Sequence, residues 1–353
     1  MRDEIAARRA ACTDSFHGNG LVRPADLLAS IDADVEEDLY GEGGVVADLE
    51  REIAELLGKP AAVFLPSGTM AQAATLRVHA DARSTRTVVW HPHCHLAGHE
   101  GEAYARLHSL TGRAAGDPAR LLARTDLAAV AEPIAALLLE LPQRDLGGPL
   151  PPFDELISQV EWARERGAAA HLDGARLWEA AAGYGRAPAE VAALFDTVYV
   201  SFYKGVGALP GCCVAGPVAE VAQVKEWRKR LGGTLYALWP AAASARALLP
   251  RALAEMPARM EHARAVGAAL AAVPGVRVVP GEPQTPMMHL MLATTTERYV
   301  DSAKRLAESD RFWVWPTAMV TDDPGTVRVE LSVGSATLRH EPSFIAETVG
   351  RLL

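Results

Sequence analysis

Short apolar runs, each too brief to form a buried helix and each followed by a stretch of helical periodicity, set the architecture of this chain. Ala61–Leu65, Thr87–Trp90, Ala135–Leu141, Ala168–Leu172 and Thr197–Phe202 read as buried strands. Between them, Val46–Leu57 carries Val46, Leu49, Ile53, Leu56 and Leu57 on one helical face, with Gly58 as its stop. Thr69–His79 also reads as a helix, and Phe153–Arg166 as one ended by Gly167. Strands that are apolar on both faces and separated by helices predict an α/β fold: a mostly parallel sheet covered by helices. No internal repeat is visible.

The pattern changes after Leu231-Gly232-Gly233. An Ala-rich helical stretch runs from Tyr236 to Leu253 and a further helix from Met260 to Ala272. Strands near Val276–Val279 and His289–Leu292, a helix over Tyr299–Glu308, strands at Trp313–Trp315 and Val327–Leu331 and a final helix follow. This block reads as a small α+β domain. The expected division is 1–250 for the large domain, with its N-terminal segment, and 251–353 for the small one, within the usual domain sizes.

A formal net charge of -9 gives nucleic-acid binding no electrostatic support. Met1–Ala11 has no apolar core of the kind a leader needs, and no apolar run is long enough to span a bilayer, so no membrane role is expected. Cys12, Cys94, Cys212 and Cys213 form neither a disulfide framework nor a paired metal-binding spacing, which suits a reducing cytoplasm.

The chemistry gathers at strand ends. Lys204 follows a strand in Ser201-Phe202-Tyr203-Lys204-Gly205-Val206-Gly207. It is either an exposed strand-end lysine or a desolvated amine able to attack an aldehyde. Asp173, in His171-Leu172-Asp173-Gly174-Ala175-Arg176, occupies the same end of the preceding strand, where open α/β sheets bind ligands. Alone it is as readily a turn or helix cap. The ordered pair is what pyridoxal phosphate (PLP) requires: a lysine for its aldehyde carbon and a carboxylate for its pyridine nitrogen. Pro66-Ser67-Gly68-Thr69 joins a strand to a helix, a junction that suits a phosphate or an ordinary cap. His91, His93, His95 and His99 lie close together. They read as a metal cluster, as loop filling, or as the source of one imidazole stacked on an aromatic cofactor. No second ligand group stands out, and a metal is not expected.

These residues resemble the L-threonine aldolase family, in the β-eliminating lyase group of fold-type-I PLP enzymes. The resemblance runs in order along nearly the whole chain. Arg23-Pro24 and Asp38-Leu39-Tyr40-Gly41-Glu42 resemble the family's R-P and D-x-Y-G-[DE] elements. Phe64-Leu65-Pro66-Ser67-Gly68-Thr69 resembles its phosphate loop, and His95 and Glu100 reproduce an H-x4-E spacing. His171-Leu172-Asp173-Gly174-Ala175-Arg176-Leu177 and Lys204-Gly205-Val206-Gly207-Ala208 are the most specific matches.

The resemblance implies a seven-stranded type of large-domain sheet and a catalytic set of Lys204, His95 and Asp173. Lys204 would hold PLP as a Schiff base, Asp173 its pyridine nitrogen, and His95 would cover the ring. Ser67, Gly68, Thr69, Arg176 and Ser201 would complete the cofactor site. Arg176, Arg328 and Tyr40 would meet the substrate, the two arginines at its carboxylate. The implied reaction is retro-aldol cleavage of a β-hydroxy-α-amino acid to glycine and an aldehyde, by a homodimer or homotetramer with Tyr40 near the partner's cofactor.

Three segments depart from the family. Phe16-His17-Gly18-Asn19-Gly20 lacks the serine of F-x-S-D-T. Glu140-Leu141-Pro142-Gln143 replaces E-N-T-H, and Gly232-Gly233-Thr234-Leu235-Tyr236 replaces G-G-G-M-R with its phosphate-binding arginine. They bear on the substrate more than on the cofactor. The alternatives are β-elimination, racemisation or transamination on the same scaffold, and a silent PLP-binding protein. A nucleotide-binding α/β protein would need a glycine-rich nucleotide loop that is absent.

Overall fold

The computed structural model describes residues 2–32 and 34–353. Met1, the first residue of the stretch read above for a leader, lies outside them, as does Ala33. Arg2–Ala11 is a helix. The chain divides into two compact units. The larger comprises Ala25–Asp145 and Leu150–Leu253; the smaller comprises Met1–Pro24, Leu146–Pro149 and Ala254–Leu353.

The larger unit is built on seven strands: β1 (Ala61–Leu65), β2 (Thr87–Trp90), β3 (Thr111–Ala114), β4 (Ala136–Glu140), β5 (Ala169–Gly174), β6 (Thr197–Ser201) and β7 (Cys212–Gly216). Their order is β1-β7-β6-β5-β4-β2-β3, and only β7 runs antiparallel to its neighbours. The five expected strands are present and parallel, buried because helices cover both faces. The edge strand β3, Thr-Gly-Arg-Ala, is exposed at every position and offers no apolar run to read. β7 is fully buried, but its Cys-Cys-Val-Ala-Gly sequence is flanked by Gly211 and closes on Gly216, which hides it from pattern reading.

The smaller unit carries an antiparallel sheet of β8 (Val276–Val279), β9 (Met287–Leu292), β10 (Met319–Val320) and β11 (Val327–Ser332), in the order β10-β11-β9-β8. Its core includes Val278, Leu290, Tyr299, Val329, Leu331 and Ile345. The N-terminal segment, assigned from sequence to the larger domain, belongs here. Phe16 is fully buried in this core, Gly18 N–H donates to Ser332 O at 2.8 Å, and Asp14 bridges Phe312. The strand expected at Trp313–Trp315 does not form; the residue before it, Phe312, makes an isolated bridge to Asp14. The two helices expected over Tyr236–Leu253 and Met260–Ala272 are one, Trp239–Ala271. Pro250 and Pro257 interrupt its sequence pattern by removing N–H donors, yet the helix continues through both.

Candidate active site

The carboxyl ends of β4, β5 and β6 place Glu140, Asp173 and Lys204 side by side along the larger unit's sheet. Asp173 is register-paired with Glu140 on one side and with Tyr199 on the other, so these side chains leave the same face. Asp173 is buried at 3% exposure, and its Oδ1 accepts from Ala175 N–H at 3.1 Å. Lys204 follows β6 and is partly buried. Burial lowers its pKa first, and the Arg176 guanidinium adds to that effect, while Asp173 and Glu140 oppose it. The amine is therefore easier to deprotonate than a surface lysine, as a nucleophile toward an aldehyde must be.

His95 opens the short helix His95–Gly98. Its Nδ1 lies 3.0 Å from Glu100 Oε1, in the H-x4-E pair. That hydrogen bond raises the His95 pKa above the ordinary histidine value, and the charges of Lys204 and Asp173 also act on the ring. The Asp173 charge acts on both Lys204 and His95, in keeping with the adjacent strand ends. The other histidines of the cluster have separate partners. His91 Nε2–H donates to Arg120 O at 2.9 Å, His93 N–H donates to His91 Nδ1, and His99 Nε2 lies 2.9 Å from Asp145 Oδ2. Among the described residues no three His, Cys, Asp or Glu side chains are grouped to hold a metal.

The helix Gly68–Arg83 follows β1, with Ser67 at its N-cap in extended backbone. The Ser67 hydroxyl makes no cap hydrogen bond. The first-turn N–H groups of Gly68 and Thr69 are thus left uncapped by side chains, a donor set that fits a phosphate. Ser201 is buried, and its hydroxyl donates to Ala175 O at 2.8 Å, tying the end of β6 to the segment after Asp173. Arg176 stands at the N-cap of the helix Leu177–Tyr184. Tyr40 is exposed, with φ at 55°, and packs edge-on to Tyr236 at 5.4 Å. Its turn is held by Asp38, whose carboxylate accepts from Gly41, Leu238 and Trp239 N–H. Arg328 lies on β11 in the smaller unit, with Nη2 3.4 Å from Met319 Sδ.

Two features are not singled out by the sequence. Glu140 stands there only as a motif letter, although it ends an apolar strand just as Asp173 does. It accepts from His95 N–H at 3.3 Å, Arg144 N–H at 3.2 Å and Gln143 Nε2–H at 3.3 Å. Burial raises its pKa, and the neighbouring Asp173 raises it further. The second is a buried polar chain behind the motif histidine. His171 Nε2–H donates to Gln72 Oε1 at 2.7 Å, and Thr197 Oγ1–H donates to His171 Nδ1 at 2.8 Å. His79 Nε2–H in turn donates to Thr197 Oγ1 at 2.7 Å. Burial lowers the pKa of both histidines to about 3, so both are neutral.

Comparison with known proteins agrees with this geometry. Residues 24–293 match the family described as beta-eliminating lyase. The crystal structure of a presumed L-allo-threonine aldolase from Listeria monocytogenes EGD-E superposes with a TM-score of 0.91 at 35% identity, covering 99% of this chain and 98% of that one. Aldolase vrtJ of Penicillium aethiopicum is 31% identical over 71% of this chain and 66% of its own length. Low-specificity L-threonine aldolase 1 of Arabidopsis thaliana is 28% identical over 76% of this chain and 78% of its own. The chain belongs to the beta-eliminating lyase family and, within it, to the threonine-aldolase group.

Proposed function

We propose that this protein is a PLP-dependent carbon–carbon lyase that cleaves a β-hydroxy-α-amino acid of threonine type to glycine and an aldehyde. The observation that carries the reading is the shared locality of Lys204 and Asp173 at adjacent strand ends, beside an uncapped helix N-terminus. When bound, PLP supplies an electron sink for the carbanion left by bond cleavage. Lys204, its amine eased toward the neutral form, would hold the aldehyde carbon. Asp173 would keep the pyridine nitrogen protonated, and Ser67, Gly68 and Thr69 would hold the phosphate. The His95 ring, fixed by Glu100, would cover the cofactor and offer Nε2 for a proton of the substrate. Arg176 would bind the substrate carboxylate as a charge-assisted fork. Roles for Arg328 at the carboxylate and Tyr40 at a partner's site rest on the family resemblance alone.

Assembly as a homodimer or homotetramer is part of this reading, supported by the exposed Leu39, Tyr40, Leu235 and Tyr236. Four unpaired, buried cysteines favour the cytoplasm. Among the described residues no helix is long and apolar enough to cross a membrane.

Borohydride reduction followed by peptide mapping tests the cofactor assignment: the label belongs on Lys204, and a label on another lysine overturns it. Product analysis tests the reaction. Incubation with threonine and related β-hydroxy amino acids yields glycine plus aldehyde if the reading holds. A keto acid with ammonia would instead establish β-elimination, the reading that the family's description favours second.

A further inference from the structure

Two phenols beside the proposed cofactor site have no role in the machinery above. Tyr199 sits on β6 in register with Asp173 and shares its face of the sheet. It is buried at 3% exposure. Its hydroxyl abuts the start of the helix Gly68–Arg83: a Cβ on Gly68 would lie 2.2 Å from Tyr199 Oη and 3.4 Å from Tyr203 Oη. Residue 68 must be glycine because a hydroxyl occupies the space of its side chain. Tyr203, partly exposed and next to Lys204, converges on the same point, and the two hydroxyls are hydrogen-bond partners.

Donor counting shows what the pair lacks. Two hydroxyls joined by one hydrogen bond use one proton between them, and the other O–H remains to donate outward. Tyr203 is 40% exposed, so that O–H is open to a ligand or to solvent. Around it stand the first-turn N–H groups of the Gly68 helix, with no side-chain cap. The free O–H and the first-turn N–H groups can all donate there, and the positive end of the helix dipole favours an acceptor with several oxygens; the Asp173 and Glu100 carboxylates, which also act on the phenols, lie on the other side of the balance. Burial raises the pKa of both phenols, which keeps them protonated as donors.

We propose that the Tyr199–Tyr203 hydroxyl pair binds the phosphate of the cofactor, donating to one oxygen while the first-turn N–H groups hold the others. This rests on the reading of Ser67-Gly68-Thr69 as the phosphate site. The competing role is a plain packing contact over Gly68, which would be indifferent to the phosphate.

The test compares PLP with pyridoxal, the same aldehyde without its phosphate. Cofactor-free protein is titrated with each and binding is followed by absorbance, for wild type, Tyr203→Phe, Tyr199→Phe and Gly68→Ala. Tyr203→Phe is expected to weaken PLP roughly 10- to 100-fold, the loss of one hydrogen bond to a charged group, while pyridoxal binds as before. Gly68→Ala, whose methyl group would displace the buried Tyr199 Oη, is expected to show the same phosphate-selective loss together with a lowered thermal midpoint. Equal weakening of both ligands, or undiminished PLP affinity in Tyr203→Phe, overturns the assignment. Borohydride labelling of the wild type separates the two levels. Label on Lys204 with no phosphate selectivity removes the tyrosines alone; no label on Lys204 removes the cofactor reading and this proposal together.

Discussion

Replacing Arg228 with methionine probes how the strand that leads into the Ser67-Gly68-Thr69 turn is held. β1 is an edge strand, paired only with β7, so the outward N–H and C=O of Phe64 need other partners. Glu50 Oε1 accepts from Phe64 N–H at 2.8 Å, and Arg228 Nη1–H donates to Phe64 O at 2.7 Å. The two side chains are 3.9 Å apart, with Arg228 1% exposed and Glu50 18% exposed. Gly41 is small to make room, since a Cβ there would lie 2.6 Å from Arg228 Nη2. Arg228→Met removes a charge-assisted hydrogen bond, about 1.5–3 kcal/mol, and leaves Glu50 with only the weaker influence of Lys225. Breaking a buried pair in this way costs about 3–5 kcal/mol in total; the 3.9 Å separation places the expectation at the low end, about 3 kcal/mol. Adding Glu50→Gln keeps the acceptor for Phe64 N–H and removes the stranded charge, so about 1 kcal/mol should return. Burial already raises the Glu50 pKa, so the penalty of the single variant should also shrink as pH falls. Urea unfolding measures both variants through the midpoint at constant slope. A single variant within about 0.5 kcal/mol of wild type would refute the reasoning, because that is the range of an inconsequential surface change.

Three further outcomes are expected. His79 and His171 have pKa values lowered to about 3 from an ordinary 6.5, so the unfolded chain binds more protons between those values. Stability should be fully present above about pH 6.5 and fall toward pH 3, by up to about 1.4 kcal/mol per pH unit for each histidine; urea midpoints from pH 7 to 4 check this, and a flat profile removes it. Glu100→Gln should lower the raised His95 pKa, read from the NMR titration of its ring. In the wild type that coupling stabilises the fold below about pH 6.5 and fades as pH rises through the raised value. Light scattering should give a dimer or tetramer at micromolar concentration, and a fully active monomer would end the assembly proposal.

The parallel strands were legible because each is a continuous apolar run long enough for a strand and too short for a helix. What escaped was hidden by residue chemistry. β3 lies at an exposed edge where Thr, Gly and Arg suffice, and β7 is mostly Cys, Ala and Gly, with Val214 its only strong strand former. Pro257 lies between the two helices expected from sequence, and the single helix continues through it as it does through Pro250. The place of the N-terminal segment was invisible for another reason: it depends on Phe16 reaching a core whose other members lie about 250 residues or more further along the chain.

The site shows the same division between position and partnership. Lys204 and Asp173 stand at strand ends, where an open sheet binds ligands, and position along the chain reveals strand ends. Partnership cannot be read that way. His171 looks like a site residue by its place in the motif, yet Gln72 and Thr197 use both of its nitrogens and leave it neutral in the interior. Tyr199 and Tyr203 look like ordinary strand formers, since tyrosine favours strands whether or not its hydroxyl has work to do. Only the 2.2 Å approach of Tyr199 Oη to the missing side chain of Gly68 distinguishes them. Glu140 stands between the two cases. The rule that singled out Asp173 applies to it equally, and its register pairing with Asp173 places a second carboxyl on the same face. The backbone N–H groups of His95 and Arg144 converge on that carboxyl, so the end of β4 fixes the segment carrying His95. Strand-end position therefore finds candidates for acting on a ligand, and the hydrogen-bond partners separate those held in structural bonds from those left toward the site.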